Sequence, residues 1–179
     1  MAVEPTPITR LRAVKLRDER RVHVREIRSG DEPELLSFLE RLSFRSTSLR
    51  FCCGGPNLAE IAHGFVDTGA QRIGVVALAA DGQIVAHAEA VTLSASTAEV
   101  AVVVADAFQG LGLAGRLIEC LCETARARGI RRFVAEVSPD NEAMLGVFAG
   151  GFSAAVIESG SVCAVEFETA MPVAQLVAA

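Results

Sequence analysis

The 179-residue sequence has no tyrosine, no tryptophan and only one lysine, and it has no long uninterrupted apolar run. A helix that spans a membrane needs about 20 consecutive apolar residues. Apolar residues make up 51% of this chain, but charged residues interrupt them every few positions. The sequence therefore predicts a globular protein with a substantial core and no membrane association. Its length fits one domain with short tails.

Acidic residues outnumber basic ones, 22 against 17, so the formal net charge is -5. Proteins that bind nucleic acids need a basic surface that neutralises phosphates, so no nucleic-acid partner is expected. Lys15 is the only lysine, and such a preference for arginine is typical of GC-rich bacterial genomes. The basic residues that gather near the N-terminus are Arg10, Arg12, Lys15, Arg17, Arg20 and Arg21. They indicate either an electrostatic arm or a solvated leader, and we favour the leader.

Domain boundaries follow from where apolar periodicity begins and ends. Residues 1–21 contain Pro5 and Pro7 without periodicity, so we predict a flexible N-terminal tail there. A single domain is predicted over residues 22–170, followed by a C-terminal tail over residues 171–179. No apolar segment separates the N-terminal charges from the first predicted strand, so a secretory signal is not expected.

The cysteines do not form a metal-binding or disulfide pattern. There are five, an odd number, and they include neither a CxxC pair nor a clear histidine partner. No metal is therefore predicted. Cys120 and Cys122 lie on a predicted helix, where we expect them to pack as small buried residues. Unpaired thiols are typical of a reducing cytoplasm, which is the compartment we expect.

Hydrophobic periodicity predicts an α/β (α+β) fold. The expected strands are Val22–Ile27, Arg72–Ala79, Gln83–Leu93, Ala98–Val104, Phe133–Val137, Phe152–Ile157 and Ser161–Glu168. The expected helices are Glu32–Leu42, Leu58–Val66, one from Leu113 to Gly129 and one from Asn141 to Ala149. Hairpin turns are predicted at Asp81-Gly82 and Ser159-Gly160. No secondary structure is predicted for Phe44–Pro56, and Gly150-Gly151 is expected to end the last helix.

A glycine-rich turn lies between a predicted strand and a predicted helix, at residues 109–114. Gly110 and Gly112 remove side chains where a ligand must approach the backbone, and the first turn of the next helix presents free N–H groups to an anion. A diphosphate fits such a turn, although two glycines before a helix also make an ordinary tight connection. Gly110, Gly112 and Gly115 satisfy the bare dinucleotide-binding pattern, but a late strand in an antiparallel meander is the wrong context for it.

The segment Ala98–Val104 followed by Gln-x-x-Gly-x-Ala at residues 109–114 resembles the core motif of the GNAT acetyltransferases. Asn141 and Gly151-Phe152 agree with the same family, and the resemblance covers residues 22–168. It implies the GNAT fold, a mixed, mostly antiparallel central sheet with a parallel splayed strand pair, flanked by helices. Within the family, the sequence is most similar to bacterial protein-lysine acetyltransferases that modify acyl-CoA synthetases. That likeness rests on Ser48–Phe51, Ala98–Ala101, Asn141, Met144 and Leu145.

The resemblance implies a set of residues that bind acetyl-CoA as a co-substrate. Backbone groups of Val102, Val103 and Val104 would pair with the pantetheine arm like an additional strand. The pyrophosphate would be held by Gln109, Gly110, Leu111, Gly112, Leu113 and Ala114. Asn141 would face the cofactor arm, although a helix-capping role fits it equally well.

Acetyl transfer also needs a base, because only a neutral amine attacks a thioester. Glu99 is our candidate, since similar protein acetyltransferases place a catalytic glutamate at the start of this strand. A solvent-facing glutamate without a catalytic role is the alternative, and Glu89 on the preceding strand is a second candidate for the base. His63 and His87 have no identified partner, so structural roles are expected for them.

Many family members protonate the departing thiolate with a tyrosine on the helix after Asn141, and this chain has none. Val147 or Phe148 occupies the corresponding region. The expected function is transfer of an acetyl group from acetyl-CoA to a primary amine. A protein lysine is the first expectation for that amine, and acyl-CoA synthetases are the candidate protein partners. A small amine as the acceptor, or acyl-CoA binding without turnover, are the alternatives. No feature of the sequence indicates an oligomeric state.

Overall fold

A computed structural model of the chain describes residues 11–51, 55–67 and 69–170. Its strands are β1 Arg12–Lys15, β2 Arg21–Glu26, β3 Arg72–Leu78, β4 Ile84–Thr92, β5 Thr97–Val104, β6 Arg132–Val137, β7 Ala155–Ser159 and β8 Val162–Glu168. Its helices are α1 Glu32–Glu40, α2 Phe44–Phe51, α3 Leu58–Val66, α4 Leu113–Ala127 and α5 Glu142–Phe152. The predicted α/β fold class is confirmed.

The eight strands form one sheet in the order β1-β2-β3-β4-β5-β6-β8-β7. Neighbouring strands are antiparallel except β5 and β6, which are parallel because α4 crosses over between them. The parallel pairing starts at Thr97↔Arg132 and stops at Glu99↔Val134, although both strands continue beyond it. The two strands therefore diverge, and a cleft opens along the second half of β5. This is the splayed pair that the resemblance implies.

Helices cover both faces of the sheet. Leu117, Ile118 and Leu121 of α4 are completely buried in the larger core cluster, which includes alternate residues of β3, β4 and β5. On the other face, Leu35 and Phe38 of α1 are buried in a second cluster, to which α3 also contributes. Burying one such side chain contributes roughly 1.5–3 kcal/mol, so these two clusters hold the helices on the sheet.

The N-terminal part of the described chain differs from the prediction of a tail over residues 1–21. β1 pairs antiparallel with β2 through four residue pairs, and the side chains of Val14 and Leu16 are buried. A four-residue strand is too short to show clear alternation of apolar and polar residues, and two of its four residues are Arg12 and Lys15. For these reasons the sequence pattern predicted a solvated leader there. Residues 1–10 and 171–179 lie outside the described residues, as do Cys52 and Cys53.

Two further differences concern helices. Residues 44–51 form α2, although no secondary structure was predicted there. The prediction missed this helix because its buried residue is the polar Ser46 and no apolar stripe marks it. The prediction that Gly150-Gly151 ends α5 is wrong, since the helix continues to Phe152. Phe152 is buried with its ring centroid 5.1 Å from that of Phe167, which holds the last turn in place despite the two glycines.

The described residues contain no helix that is long and apolar enough to cross a membrane. Within the same residues, no three or more histidine, cysteine, aspartate or glutamate side chains cluster in a way that could hold a metal ion. Cys120 and Cys122 are free and buried in the α4 core, as predicted. Burial raises the pKa of the Cys122 thiol to about 12, so that thiol stays protonated and unreactive.

Candidate functional site

A cavity of about 640 Å³ opens where β5 and β6 diverge, between the N-terminal end of α4 and the helix α5. Nine of the ten predicted cofactor-binding residues line it: Val102, Val103, Val104, Gln109, Gly110, Gly112, Leu113, Ala114 and Asn141. The volume lies in the range of small-molecule and cofactor sites. Predicted residues that are up to 39 positions apart in the sequence therefore meet on one surface.

The glycine turn has the backbone geometry that an anion cradle needs. Gly110 has φ +72° and Gly112 has φ +86°, a region that residues with a Cβ adopt at a cost. Gly112 is the residue immediately before α4, so its conformation exposes the first-turn N–H groups of that helix. The positive end of the helix dipole adds to the attraction for an anion.

Leu111 is the one predicted cofactor residue that does not line the cavity. Its side chain packs against the core cluster around α4. Its carbonyl oxygen accepts a hydrogen bond from the backbone N–H of Arg17 at 3.3 Å. Leu111 therefore fixes the shape of the turn and joins it to the N-terminal hairpin.

The Gln109 side chain also has a structural role. Its Nε2 donates to the Val104 carbonyl oxygen at 3.0 Å and to Ser46 Oγ at 2.9 Å. The Ser46 hydroxyl in turn donates to Asp106 Oδ1 at 2.9 Å, and Ser43 Oγ donates to the same oxygen at 2.6 Å. These hydrogen bonds, chiefly those from Ser43, lower the pKa of Asp106. The network ties α2 to the turn, so α2 becomes a wall of the cavity.

Asn141 lies at the start of α5, where its position is compatible with both predicted roles, capping the helix and facing the cofactor arm. Its Oδ1 accepts from the backbone N–H of Met144 at 3.2 Å, which is a helix cap. Asn141 also lines the cavity. Capping therefore orients the amide and does not remove it from the site.

The α5 wall of the cavity is formed by small and apolar residues. Val147 lines the cavity, whereas Phe148 is buried and belongs to the core. Of the two residues considered for the tyrosine position, Val147 is therefore the one at the cavity, and its side chain cannot donate a proton. Gly115 on α4 faces this wall, with Val147 Cγ1 3.9 Å from where its Cβ would lie.

The candidate base Glu99 occupies the last residue pair before β5 and β6 diverge. It is exposed, and none of the ion pairs among the described residues involves it. Glu99 does not belong to the cavity lining, but it precedes Val102 by three residues on the same strand. It lies near enough to Arg50 for its charge to raise the pKa of that arginine, against a larger lowering by burial.

Glu89, the second candidate for the base, is instead bound between two arginines. Its Oε1 accepts from Arg50 Nη2 at 2.6 Å, and its Oε2 accepts from Arg72 Nη1. Only 9% of the Glu89 side chain and 13% of the Arg50 side chain are exposed. Both carboxylate oxygens are therefore occupied, and the network joins α2 to β3 and β4.

The two histidines considered as catalytic groups are placed elsewhere. His63 is exposed, and its Nδ1 lies 3.2 Å from Glu32 Oε2. His87 is completely buried and stacks on Phe65 with ring centroids 3.9 Å apart. Burial and the nearby arginines hold the pKa of His87 well below its usual value, so His87 is a neutral residue of the core.

Several residues that line this site were not predicted from the sequence, among them Ser46, Phe108 and Arg17. Ser46 lies on a helix that carries no apolar stripe, and Phe108 lies in a short 3₁₀ turn at Asp106–Phe108. Arg17 lies in the hairpin between β1 and β2, within the segment that was predicted as a tail, yet it lines the cavity. Only the cluster of basic residues near the N-terminus could have indicated Arg17.

Comparison with known proteins gives consistent matches. Residues 38–152 match the Acetyltransferase (GNAT) family. The chain is 36% identical to the GNAT domain of the S. lividans protein acetyltransferase PAT, with a TM-score of 0.81, and the match covers 88% of this chain and 96% of that domain. Among curated proteins, no sequence matches significantly.

Two further solved structures extend the comparison. A cAMP-binding acyltransferase from Mycobacterium smegmatis is 26% identical, with a TM-score of 0.65, over 92% of this chain and 48% of that protein. This chain therefore spans about half the length of that acyltransferase. An acetyltransferase of the GNAT family from Streptococcus pneumoniae is 20% identical, with a TM-score of 0.59, over 82% of this chain and 98% of the other, and shares the fold.

Proposed function

The chain belongs to the GNAT acetyltransferase family, and on that premise we propose that it transfers the acetyl group of acetyl-CoA to a lysine side chain of another protein. Membership makes it an acyltransferase, and acetyl-CoA is the co-substrate of the family. The similarity to the GNAT domain of PAT supports a protein as the acceptor. The acyl-CoA synthetases that similar enzymes modify are the first partners to test.

The residues that line the cavity support acetyl-CoA as its ligand, which would supply the acetyl group as an activated thioester. The β5 backbone from Val102 to Val104 runs along the cleft beyond the last residue pair with β6 and would accept the pantetheine arm as a partner strand. The backbone N–H of Gln109 already donates to the Asp106 carbonyl oxygen at 3.3 Å, so the N–H groups from Gly110 to Ala114 would hold the pyrophosphate. No side chain fills the cradle, because glycines occupy positions 110 and 112.

We assign Glu99 as the general base, and the observation that carries this is the contrast with Glu89. The carboxylate of Glu99 is exposed beside the cleft, whereas both oxygens of Glu89 are bound by arginines. A lysine ammonium has an ordinary pKa of about 10.4 and a glutamic acid of about 4.3. Proton transfer from a free lysine ammonium to a carboxylate is therefore uphill by about six pKa units. The amine nitrogen becomes far more acidic as it bonds to the thioester carbon, and at that stage Glu99 accepts the proton, directly or through a water.

No side-chain acid is needed to complete the reaction. A general acid typically contributes about 10²–10⁴-fold to the rate, and a thiolate is already a fair leaving group. With Val147 facing the cavity in place of a tyrosine, water protonates the departing sulfur. We therefore expect a slow acetyltransferase in preference to an inactive binding protein.

The experiment that tests this proposal compares acceptors. Purified protein is incubated with labelled acetyl-CoA and an acyl-CoA synthetase, and in parallel with a panel of amino acids, polyamines and aminoglycosides. We expect label on the synthetase, none on a synthetase variant whose active-site lysine is replaced by arginine, and no CoA release with the small amines. Label on small amines alone would assign a small-molecule acceptor. Binding of acetyl-CoA without transfer to any acceptor would contradict the proposal.

A further inference from the structure

The hairpin between β1 and β2 contacts both the glycine turn and the 3₁₀ turn that precedes it. One contact is the hydrogen bond from the Arg17 backbone N–H to the Leu111 carbonyl oxygen. The other is Arg20, which donates from Nη2 to the Ala107 carbonyl oxygen at 2.7 Å and stacks over the Phe108 ring at 4.1 Å. The hairpin is therefore fixed beside the anion cradle by contacts that do not use the Arg17 side chain.

The Arg17 side chain points at the cradle. Its Nε lies 3.8 Å from the position that a Cβ on Gly112 would occupy, and Arg17 lines the cavity. Gly112 has φ +86° and leads directly into α4, where the free N–H groups gather. A guanidinium group and a row of backbone donors thus converge on one small volume.

Arg17 is also the basic residue of the cavity lining that is not already engaged in an ion pair among the described residues. Arg17 and Arg50 are the basic residues of the lining, and Arg50 is bound to Glu89 at 2.6 Å. The acidic residue of the lining, Glu119, is paired with Arg116 at 2.9 Å. Among the described residues, no carboxylate pairs with the exposed Arg17. An arginine held beside an anion cradle without a counter-charge is suited to bind a phosphate.

We infer that the Arg17 guanidinium binds a phosphate group of coenzyme A. This inference rests on the proposed function, because it takes acetyl-CoA as the ligand of the cavity. Arginine presents two parallel N–H donors that match a phosphate, and charge-assisted hydrogen bonds of this kind are about twice as strong as neutral ones. The pyrophosphate and the 3′-phosphate share the same chemistry, and the ligands used below distinguish between them.

The test measures dissociation constants by calorimetry for the full chain and three variants. Arg17→Gln removes the charge but leaves the backbone hydrogen bond to Leu111 intact. Arg17→Lys keeps the charge but loses the two-pronged geometry. Arg21→Gln is the matched control, because Arg21 is also exposed on the same hairpin and does not line the cavity. Melting temperatures without ligand show whether each variant folds.

We expect Arg17→Gln to weaken acetyl-CoA binding about tenfold, Arg17→Lys to weaken it less, and Arg21→Gln to leave it unchanged. If the contact is to the 3′-phosphate, acetyl-dephospho-CoA should bind the wild type and Arg17→Gln equally. If Arg17 contacts the pyrophosphate, Arg17→Gln should bind acetyl-dephospho-CoA more weakly than the wild type does. Either result supports the inference.

Equal binding of acetyl-CoA by wild type and a folded Arg17→Gln variant would overturn the inference while leaving the proposed function intact. An equal loss of acetyl-CoA affinity in Arg21→Gln would also overturn it, because the loss would then follow from the lower net charge of the hairpin and not from a contact made by Arg17. A wild type that fails to bind acetyl-CoA at all would instead remove the proposed function. The failure of the inference is thus distinguishable from the failure of its premise.

Discussion

Two glutamates on neighbouring strands, Glu89 and Glu99, differ in what occupies their carboxylate oxygens. They lie on the same face of the sheet, because Glu89 is paired with Ala101, two residues from Glu99 along β5. Arg50 and Arg72 bind both oxygens of Glu89, and its side chain is 9% exposed. Neither oxygen of Glu89 is therefore free to accept a proton from a substrate. Glu99, which is exposed beside the cleft, can receive and release a proton.

We predict that Glu99→Gln lowers the maximal rate about 10²–10⁴-fold, the range of general base catalysis. The dissociation constant of acetyl-CoA should hardly change, since glutamine keeps the shape of the side chain and the cavity residues are untouched. Steady-state kinetics and calorimetry measure these quantities.

Glu89→Gln is the matched control for this prediction. It leaves two largely buried arginines without their carboxylate, which costs about 3 kcal/mol of unfolding free energy. A lower melting temperature is therefore its expected signature, and Glu99→Gln should not share it. If Glu99→Gln keeps full activity at every pH, the base is another group or a chain of waters.

At the scale of elements, one ion pair joins the end of β2 to the start of α1. Arg25 Nη1 and Nη2 donate to Asp31 Oδ2 and Oδ1, both at 2.7 Å, and 13% and 12% of the two side chains are exposed. Burial raises the pKa of Asp31, but the hydrogen bonds from Arg25 and from the Arg28 backbone N–H outweigh it, so the pKa is lowered. The ionised carboxylate therefore contributes to the free energy of folding.

We predict that Asp31→Asn lowers the unfolding free energy by about 2 kcal/mol at pH 7, since it removes a charge-assisted pair of hydrogen bonds. A pKa that is lower in the folded state gives stability that is complete above the ordinary aspartate pKa of about 3.9 and is lost as the pH falls through the folded value. The difference between wild type and variant should therefore shrink below about pH 4. Urea unfolding at several pH values measures it.

The exposed pair Arg132–Glu166 supplies the control for that prediction. Its atoms lie 3.0 Å apart, but about half of each side chain is exposed. Solvent screens such a pair, so Glu166→Gln should cost well under 1 kcal/mol. A constant stability difference for Asp31→Asn from pH 7 to pH 3 would show that the Asp31 charge is not the source of its contribution.

The elements also show which parts of the fold the sequence could predict. α3 was predicted with its observed bounds, and β3, β4, β5 and α4 were predicted to within one or two residues, because each has a clear apolar period. α2 is stabilised by polar contacts of Ser46 and Arg50, and β1 is only four residues long. Neither produces a periodic signal. Tertiary contacts, which a sequence pattern does not encode, place both elements.

For the whole molecule, the sequence was more informative about the part of the cavity that a contiguous motif forms than about the parts that distant elements contribute. Val102–Val104 and the glycine turn were predicted because a contiguous motif carries them, and Asn141 because it agrees with the same family resemblance. The structure brings them to one cavity. Arg17 and Ser46 come from other elements, 92 and 63 residues before Gln109. Their place depends on the chain folding back over β5, and no local pattern indicates it.

Whether the cavity binds acetyl-CoA can be tested on the stability of the entire chain. A ligand that binds only the folded state raises the unfolding free energy by about 2.7 kcal/mol at 100 times its dissociation constant. For a chain of this length, we expect the melting temperature to rise by about 5–10 °C. Differential scanning fluorimetry over a range of acetyl-CoA concentrations measures the shift.

Gly112→Asp should abolish that shift, because it places a carboxylate where the phosphates must lie, opposite the positive end of the α4 dipole. The new carboxylate would also compete for Arg17, whose Nε lies 3.8 Å from the added Cβ. Gly82→Asp is the matched control, since Gly82 has the same φ of +86° in the β3–β4 hairpin and so imposes similar strain. Both variants should lose intrinsic stability, but only Gly82→Asp should still be stabilised by acetyl-CoA. Equal ligand-induced shifts in the two variants would place the binding site away from the glycine turn.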